Sequence, residues 1–335
     1  MRIIVDGFGG DNAPLEVLKG AAQAVDGLGV DITVVGDENT IRECAEKNGI
    51  DISKLSIAHA AGVMEVCYEP TKILKEYSNT SMAVGLKMLA KGEGDAFLSA
   101  GSTGALVVGS TFIVKRIKGI KRTALATVLP TLRSNCLLLD CGANADCRPE
   151  MLAQFGVMGS AYMTRFLGIK APKVALANIG AEPSKGRELE LESYKLLEGA
   201  PVNFIGNVEG RDIPLGAADV VVADGFTGNL ILKTIEGMGK FFSTSLKEMF
   251  SGSIGSKLGA LMLLKKINGF KKKMDYTEHG GAPLLGTQKP VIKAHGSSNA
   301  KAFYNAVRQA KICVENDLVG EIERGLNELK NTAEV

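Results

Sequence analysis

The chain has no tryptophan, only three histidines in 335 residues and almost no net charge, with 39 Lys and Arg against 37 Asp and Glu. A near-neutral balance excludes a whole-surface nucleic-acid binder, which needs a broad basic field. Low net charge with 45% hydrophobic residues also excludes intrinsic disorder. The six cysteines, Cys44, Cys67, Cys136, Cys141, Cys147 and Cys313, form no Cys-x-x-Cys pair and no Cys/His ladder. They read as the scattered reduced thiols of a cytosolic protein. A catalytic thiol stays open at Cys141 or Cys147, which flank a Gly-Ala-Asn turn.

Long apolar runs are missing too. Met1-Arg-Ile-Ile-Val-Asp6 reaches a carboxylate after three apolar residues, short of the roughly 7–15 that a secretion signal needs. Ala96 to Val114 carries no charge for 19 residues, but eight of these are Gly, Ser or Thr. A strand, a polar loop and a buried helix fit that segment better than a membrane span. No P-loop, no His-Glu-x-x-His and no Gly-x-Ser-x-Gly occurs. Gly7-Phe-Gly9-Gly10 has Asn12 where a dinucleotide fingerprint needs its third glycine, so the signal for a Rossmann dinucleotide site is weak.

What the chain has in excess is glycine: 40 residues, about 12% against an average of roughly 7%. Short apolar runs, several of them rich in β-branched residues, recur at Ile3–Val5, Ile32–Val35, Ala96–Leu98, Cys136–Leu139, Val174–Ala177, Val202–Ile205 and Val220–Ala223. Several lack apolar–polar alternation, as strands covered on both faces do. Helix-period stretches lie between many of them, such as Leu15–Val25, Ser81–Leu89 and Glu188–Leu197. The pattern predicts an α/β fold with a doubly wound, mostly parallel sheet, as a single unit over residues 1–335. Residues 241–275 read as a helical, Lys-rich apolar excursion within it.

Glycines and short polar residues follow the expected strand ends at Asp6–Asp11, Ser99–Gly104, Asp140–Asn144, Asn178–Gly180, Gly206–Asn207 and Asp224–Asn229. Ligands bind at such ends in open α/β sheets, and glycine lets backbone N–H groups approach an anion. Each is also an acceptable ordinary turn. The stretch from Tyr276 to Ala302 adds two of the three histidines, His279 and His295. Ser297 or Ser298 reads there as the N-cap of a helix running to about Glu315.

Asp6-Gly-Phe-Gly-Gly-Asp11, Ser99-Ala-Gly-Ser-Thr-Gly-Ala105, Leu139-Asp-Cys-Gly-Ala-Asn144 and Asp146-Cys-Arg-Pro-Glu150 resemble blocks of the PlsX-type phosphate acyltransferases. So do the blocks running over Asn178–Gly186, Asn203–Asp212, Asp224–Asn229, Gly281–Gly286 and His295–Ser298, in order over essentially the whole chain. The first block departs mildly, since the family commonly reads Asp-Ala-Met-Gly-Gly-Asp. The resemblance implies transfer of a long acyl chain from an acyl carrier protein thioester to inorganic phosphate. The acyl phosphate formed would feed a membrane acyltransferase of phospholipid synthesis. It also implies a homodimer with a fold similar to phosphotransacetylase and isocitrate dehydrogenase.

That chemistry needs no cofactor, no metal and no strong base, because phosphate is already an anionic nucleophile and a thiolate leaves readily. It needs anion binding, alignment, and donors for the oxyanion. Gly101, Ser102, Thr103, Gly104, Ser297 and Ser298 are the candidate phosphate cradle. Lys185 is the candidate neutralising charge, and Asn144, Asn178 and Asn229 are candidates to orient phosphate or donate to the oxyanion. His279 or His295 is the candidate proton donor to the thiolate. A solvated turn lysine, turn-stabilising amides and structural imidazoles are the corresponding alternatives.

Two basic surfaces complete the expectations. Lys115, Arg116, Lys118, Lys121 and Arg122 fall within eight residues, either as a solvated loop or as a dock for acidic acyl carrier protein. Ser251 to Met274 holds six lysines and no acid, with Leu258, Leu261 and Leu264 beside Lys265 and Lys266. It reads as a segment lying on the anionic inner face of the cell membrane, or as dimer or core packing. A coenzyme A phosphotransacetylase, a metal-dependent decarboxylating dehydrogenase and a non-catalytic membrane scaffold are the rival functions.

Overall fold

A computed structural model of the chain describes residues 1–251 and 280–333, together with Leu263 and Gly269. Among the described residues eleven strands follow in chain order: β1 (Arg2–Asp6), β2 (Asp31–Gly36), β3 (Leu55–His59), β4 (Ala96–Ser99), β5 (Ala124–Pro130) and β6 (Asn135–Leu139). Then come β7 (Lys173–Asn178), β8 (Asn203–Glu209), β9 (Val220–Val222), β10 (Ala282–Leu285) and β11 (Val291–Lys293). The described helices are α1 (Leu15–Leu28), α2 (Glu38–Asn48), α3 (Ser81–Ala90), α4 (Thr103–Gly109) and α5 (Pro149–Leu167). They continue with α6 (Glu188–Glu198), α7 (Gly225–Ser251), α8 (Ala300–Glu315) and α9 (Leu318–Ala333).

The strands form one sheet in the order β3-β2-β1-β4-β11-β10-β5-β6-β9-β7-β8. β3, β2, β1, β4 and β11 are mutually parallel, and so are β6, β9, β7 and β8. Three antiparallel steps, β11 to β10 to β5 to β6, join the two blocks, so the blocks run in opposite directions. The fold is a doubly wound, mostly parallel α/β sheet. The strand ends therefore fall in two sets, one per block.

Alternate strand residues enter opposite cores, which is why the strand runs lack polar alternation. Ile3, Val5, Ile32, Val34, Leu137, Leu139, Val174 and Val220 face one core that runs under both blocks, against α1, α5 and α8. On the other face the core divides. Ile4, Val35 and Phe97 pack with Met82, Leu86 and Leu89 of α3. Cys136, Leu138, Ala175 and Val221 pack with Ile213 and with Leu232 of α7. β5 crosses the gap between these two clusters, with Leu125 in the first and Leu129 in the second.

Two local expectations are revised. Gly206 and Asn207 lie inside β8 rather than beyond its end. Helix α8 does run to Glu315, but its N-cap is Asn299, whose Oδ1 accepts from Ala302 N at 3.0 Å, and not Ser297 or Ser298. The uncharged Ala96–Val114 segment is β4, a loop, α4 and a π-helical turn at Ser110–Val114. No helix among the described residues is long and apolar enough to cross a membrane.

Candidate active site

The gap in the second core opens into a cavity of about 350 Å³. β5 contributes Leu125, Thr127 and Val128 to its lining, and the turn after β6 contributes Cys141 and Gly142. Thr103 comes from the first turn of α4, and Lys293, Ala294, His295 and Ser298 from the end of β11 and its following loop. Gly280, Gly281, Ala282 and Ala302 complete that side. Helix α7 closes the cavity with Asn229, Leu232, Lys233 and Glu236. Their i, i+3, i+4, i+7 spacing is one face of the helix. The lining is therefore apolar along one part and rich in hydroxyl, amide and ammonium groups along another.

Two buried aspartates hold the loops around this cavity. Ser99 Oγ donates to Asp6 Oδ2 at 2.6 Å, and Gly101 N donates to Ser99 Oγ at 3.0 Å. A β-carbon on Gly9 would stand 2.7 Å from both Asp6 Oδ2 and Gly101 N, so the first and fourth strand ends touch through bare backbone. Burial pushes the Asp6 carboxyl up from its usual range, against the pull of its hydrogen bonds. Asp140 accepts from the backbone N–H groups of Leu125, Gly142, Ala143 and Asn144 and from Asn144 Nδ2, at 2.8–3.2 Å. Burial raises its carboxyl as well.

The candidate residues divide. Thr103, Asn229, His295 and Ser298 meet at the cavity. Asn229 lies over Gly142, its amide carbon 3.6 Å from where a β-carbon would be. His295 Nδ1 shares a 2.8 Å hydrogen bond with Ser297 Oγ, and burial lowers the imidazole's pKa. Ser102 is the N-cap of α4 and its Oγ accepts from Ala105 N, while Gly104 packs against Pro70.

Others are engaged elsewhere. Asn144 Nδ2 donates to Thr123 O at 2.7 Å and to Asp140 Oδ2 at 2.8 Å, so both amide hydrogens brace the turn. Asn178 Nδ2 donates to Lys185 O at 3.0 Å, and its Oδ1 accepts from Ile179 N at 2.8 Å. Lys185 itself is exposed, and neither residue lines the cavity. The reason is strand order: β7, which carries Asn178, is separated from β6 by β9. His279, Leu258, Leu261, Leu264, Lys265 and Lys266 lie outside the described residues.

Cysteine chemistry is disfavoured by the same burial. The Cys141 and Cys147 thiols are pushed up to about 12, chiefly by desolvation, the opposite of an activated nucleophile. Three charged residues were not singled out by sequence reasoning. Lys233 and Glu236 pair at 2.8 Å on α7, and the signal for them was the helical spacing from Asn229. Lys293 is 9% exposed, and its Nζ donates to Ala100 O at 3.1 Å and to Ala294 O. Burial lowers its pKa to about 8, partly offset by Asp6 and Asp11. Its signal was a lysine inside the apolar run Val291-Ile-Lys-Ala294.

A family model described as "Fatty acid synthesis protein" matches residues 1–320. A phosphate acyltransferase of Thermoanaerobacterium thermosaccharolyticum is 49% identical over 325 residues, covering 97% of this chain and 96% of that one. The chain belongs to the phosphate acyltransferase family. A second phosphate acyltransferase, from Clostridium botulinum, is 45% identical over 330 residues, 98% of each chain.

Solved phosphotransacetylases share the fold at lower identity. One from Streptococcus pyogenes superposes with a TM-score of 0.66 at 18% identity, over 96% of this chain and 94% of that one. Another from Staphylococcus aureus gives 0.62 at 20% identity, over 94% of each. For a phosphate acyltransferase the cavity has a direct chemical sense, because acyl transfer to phosphate needs anion donors and an apolar wall together.

Lys115, Lys118, Lys121 and Arg122 are exposed. Arg116 is half-buried and its guanidinium donates to Lys121 O.

Proposed function

We propose that this phosphate acyltransferase moves a long acyl chain from an acyl carrier protein thioester to inorganic phosphate, forming acyl phosphate for phospholipid synthesis. The observation that carries this reading is one cavity in which Thr103, Ser298, Asn229 and Lys233 stand beside Leu125, Val128 and Leu232. Phosphate sits among the Thr103 and Ser298 hydroxyls with Lys233 neutralising part of its charge. The first methylenes of the acyl chain lie along the apolar wall. A phosphate oxygen attacks the thioester carbonyl carbon, and the Asn229 amide donates to the oxyanion that develops. Asp6 and Asp140 hold the loops in place and touch no substrate.

Acyl carrier protein docks on Lys115, Arg116, Lys118, Lys121 and Arg122, a surface with no ion pair among the described residues. Residues 251–274 lie on the anionic membrane surface and bring the product to a membrane acyltransferase. The protein is a homodimer, and α7 supports this with an exposed apolar row at Phe226, Leu230, Met238 and Phe241. A phosphotransacetylase acting on coenzyme A thioesters is the second reading, favoured by the shared fold. The deciding assay is phosphate-dependent thiol release from long-chain acyl carrier protein against the matching coenzyme A thioester. Release from the carrier protein at least ten times more efficiently supports the first reading, and the reverse preference overturns it.

A further inference from the structure

Resting on that acyl-transfer reading, we propose that Lys293 is the proton donor to the departing thiolate. The residue sits in β11 with its side chain lining the cavity, next to the apolar wall rather than in solvent. An ammonium has three N–H donors. Two of those on Lys293 are held by Ala100 O and Ala294 O, which fixes the direction of the third. The surrounding charges are Asp6 and Asp11 from the end of β1, Lys233 and Glu236 from α7, and His295 two residues along the chain. The two aspartates favour the charged form of Lys293, and burial opposes it.

The step balances without any further reagent. A phosphate lone pair forms the C–O bond and the carbonyl pair moves to oxygen. Collapse of that intermediate breaks the C–S bond and leaves the pair on sulfur. Sulfur takes a proton from Nζ, giving free thiol, acyl phosphate and a neutral amine that water reprotonates before the next turnover. An ordinary lysine near 10.5 is too weak an acid for this, whereas one at about 8 is matched to a thiol near 8.5. His295 suits the task less: burial lowers its pKa, so it is largely neutral near pH 7. Lys233 is exposed and paired with Glu236.

The test compares two long-chain thioesters with the full-length protein: the acyl carrier protein thioester, whose thiol is alkyl, and an S-acyl aryl thioester, whose thiolate needs no proton to leave. For Lys293→Met, kcat/KM on the carrier thioester is expected to fall about 100-fold or more, the general-acid range, and under about 5-fold on the aryl thioester. The KM for phosphate should stay within about 2-fold. In the unmodified protein, kcat/KM on the carrier thioester should decline as pH rises through about 8, with no such decline on the aryl thioester. That comparison decides the matter even if the variant does not fold.

Equal losses on both thioesters with a raised KM for phosphate would make Lys293 an anion anchor and overturn the proposal. So would an undiminished variant, or the same decline with pH on both thioesters. If the unmodified protein releases no thiol in a phosphate-dependent way, the acyl-transfer reading itself fails, and the role given to Lys293 falls with it.

Discussion

Gly228 in the first turn of α7 abuts the carbonyl of Asp140 so closely that a β-carbon there would overlap the oxygen. The Asp140 turn cannot retreat, because its carboxylate is pinned by five donors. The helix cannot retreat either, since Gly225 N donates to Asn144 O at 2.8 Å and Asp224 Oδ1 accepts from Thr227 N at 2.7 Å. Gly228→Ala is therefore expected to lower stability by about 3 kcal/mol or more, as severe overpacking does. Gly237, further along the same helix with nothing near its missing β-carbon, gives the control. Gly237→Ala should raise stability by about 0.5–1 kcal/mol, and urea unfolding of the two variants measures both.

Asn229 owes its place to that same contact, which sets the helix entry over Gly142. On the proposed role of its amide as donor to the developing oxyanion, Asn229→Ala should reduce kcat about 100-fold while leaving the KM for phosphate nearly unchanged. Steady-state kinetics with phosphate as the varied substrate checks this. A variant with an elevated KM and normal kcat would assign the amide to phosphate binding instead.

The proposed docking of acyl carrier protein predicts a salt signature. Reversing Lys118 and Lys121 to glutamate should raise the KM for acyl carrier protein about tenfold at low salt and by much less at high salt, because screening removes the attraction. The KM for phosphate should not move. A KM for carrier protein that is unchanged, and equally salt-dependent, would remove this surface from the account.

The parts of this arrangement that were legible in sequence are those with a local cause. β1, β2, β4, β6, β7 and β9 announce themselves as short apolar runs without polar alternation, and Thr103, Asn229, His295 and Ser298 as polar residues following strands. β5 is hidden because Ala124–Pro130 follows directly on a basic stretch, and β10 and β11 because they are only four and three residues long, with Pro283 inside the first. Those three strands carry the reversal between the two blocks, which no local pattern announces. Asn178 and Lys185 carry the same local signal as the cavity residues, but β9 stands between β7 and β6 and keeps them off it. Lys293 escaped notice because a lysine in a short apolar run resembles a strand edge until long-range pairing buries it.

Thiol reactivity should follow burial. Cys67 is exposed, whereas Cys136, Cys141 and Cys313 are buried with thiols pushed up to about 12 by desolvation. Titration of the folded protein with an aromatic disulfide should label Cys67 fast and those three only on unfolding. Blocking Cys67 should leave acyl transfer intact. Fast labelling of Cys141 would contradict the packing around β6.

Lys293 also predicts how stability responds to pH. Its folded pKa of about 8 lies below an ordinary 10.5, so between those values the unfolded chain holds a proton that the folded chain has released. Stability from this group therefore rises as pH climbs from about 8 to 10.5, and below 8 the burial of the charge costs about 3 kcal/mol. The buried thiols act in the reverse sense: their folded pKa of about 12 lies above an ordinary 9, so their contribution is lost as pH rises through that window. Total stability mixes the two, but the difference between Lys293→Met and the unmodified protein isolates the lysine. The variant should unfold at a higher urea concentration at pH 7, and that advantage should shrink steadily by pH 10. A difference that does not change with pH would mean that the Lys293 ammonium is not the strained charge the packing of β11 makes it.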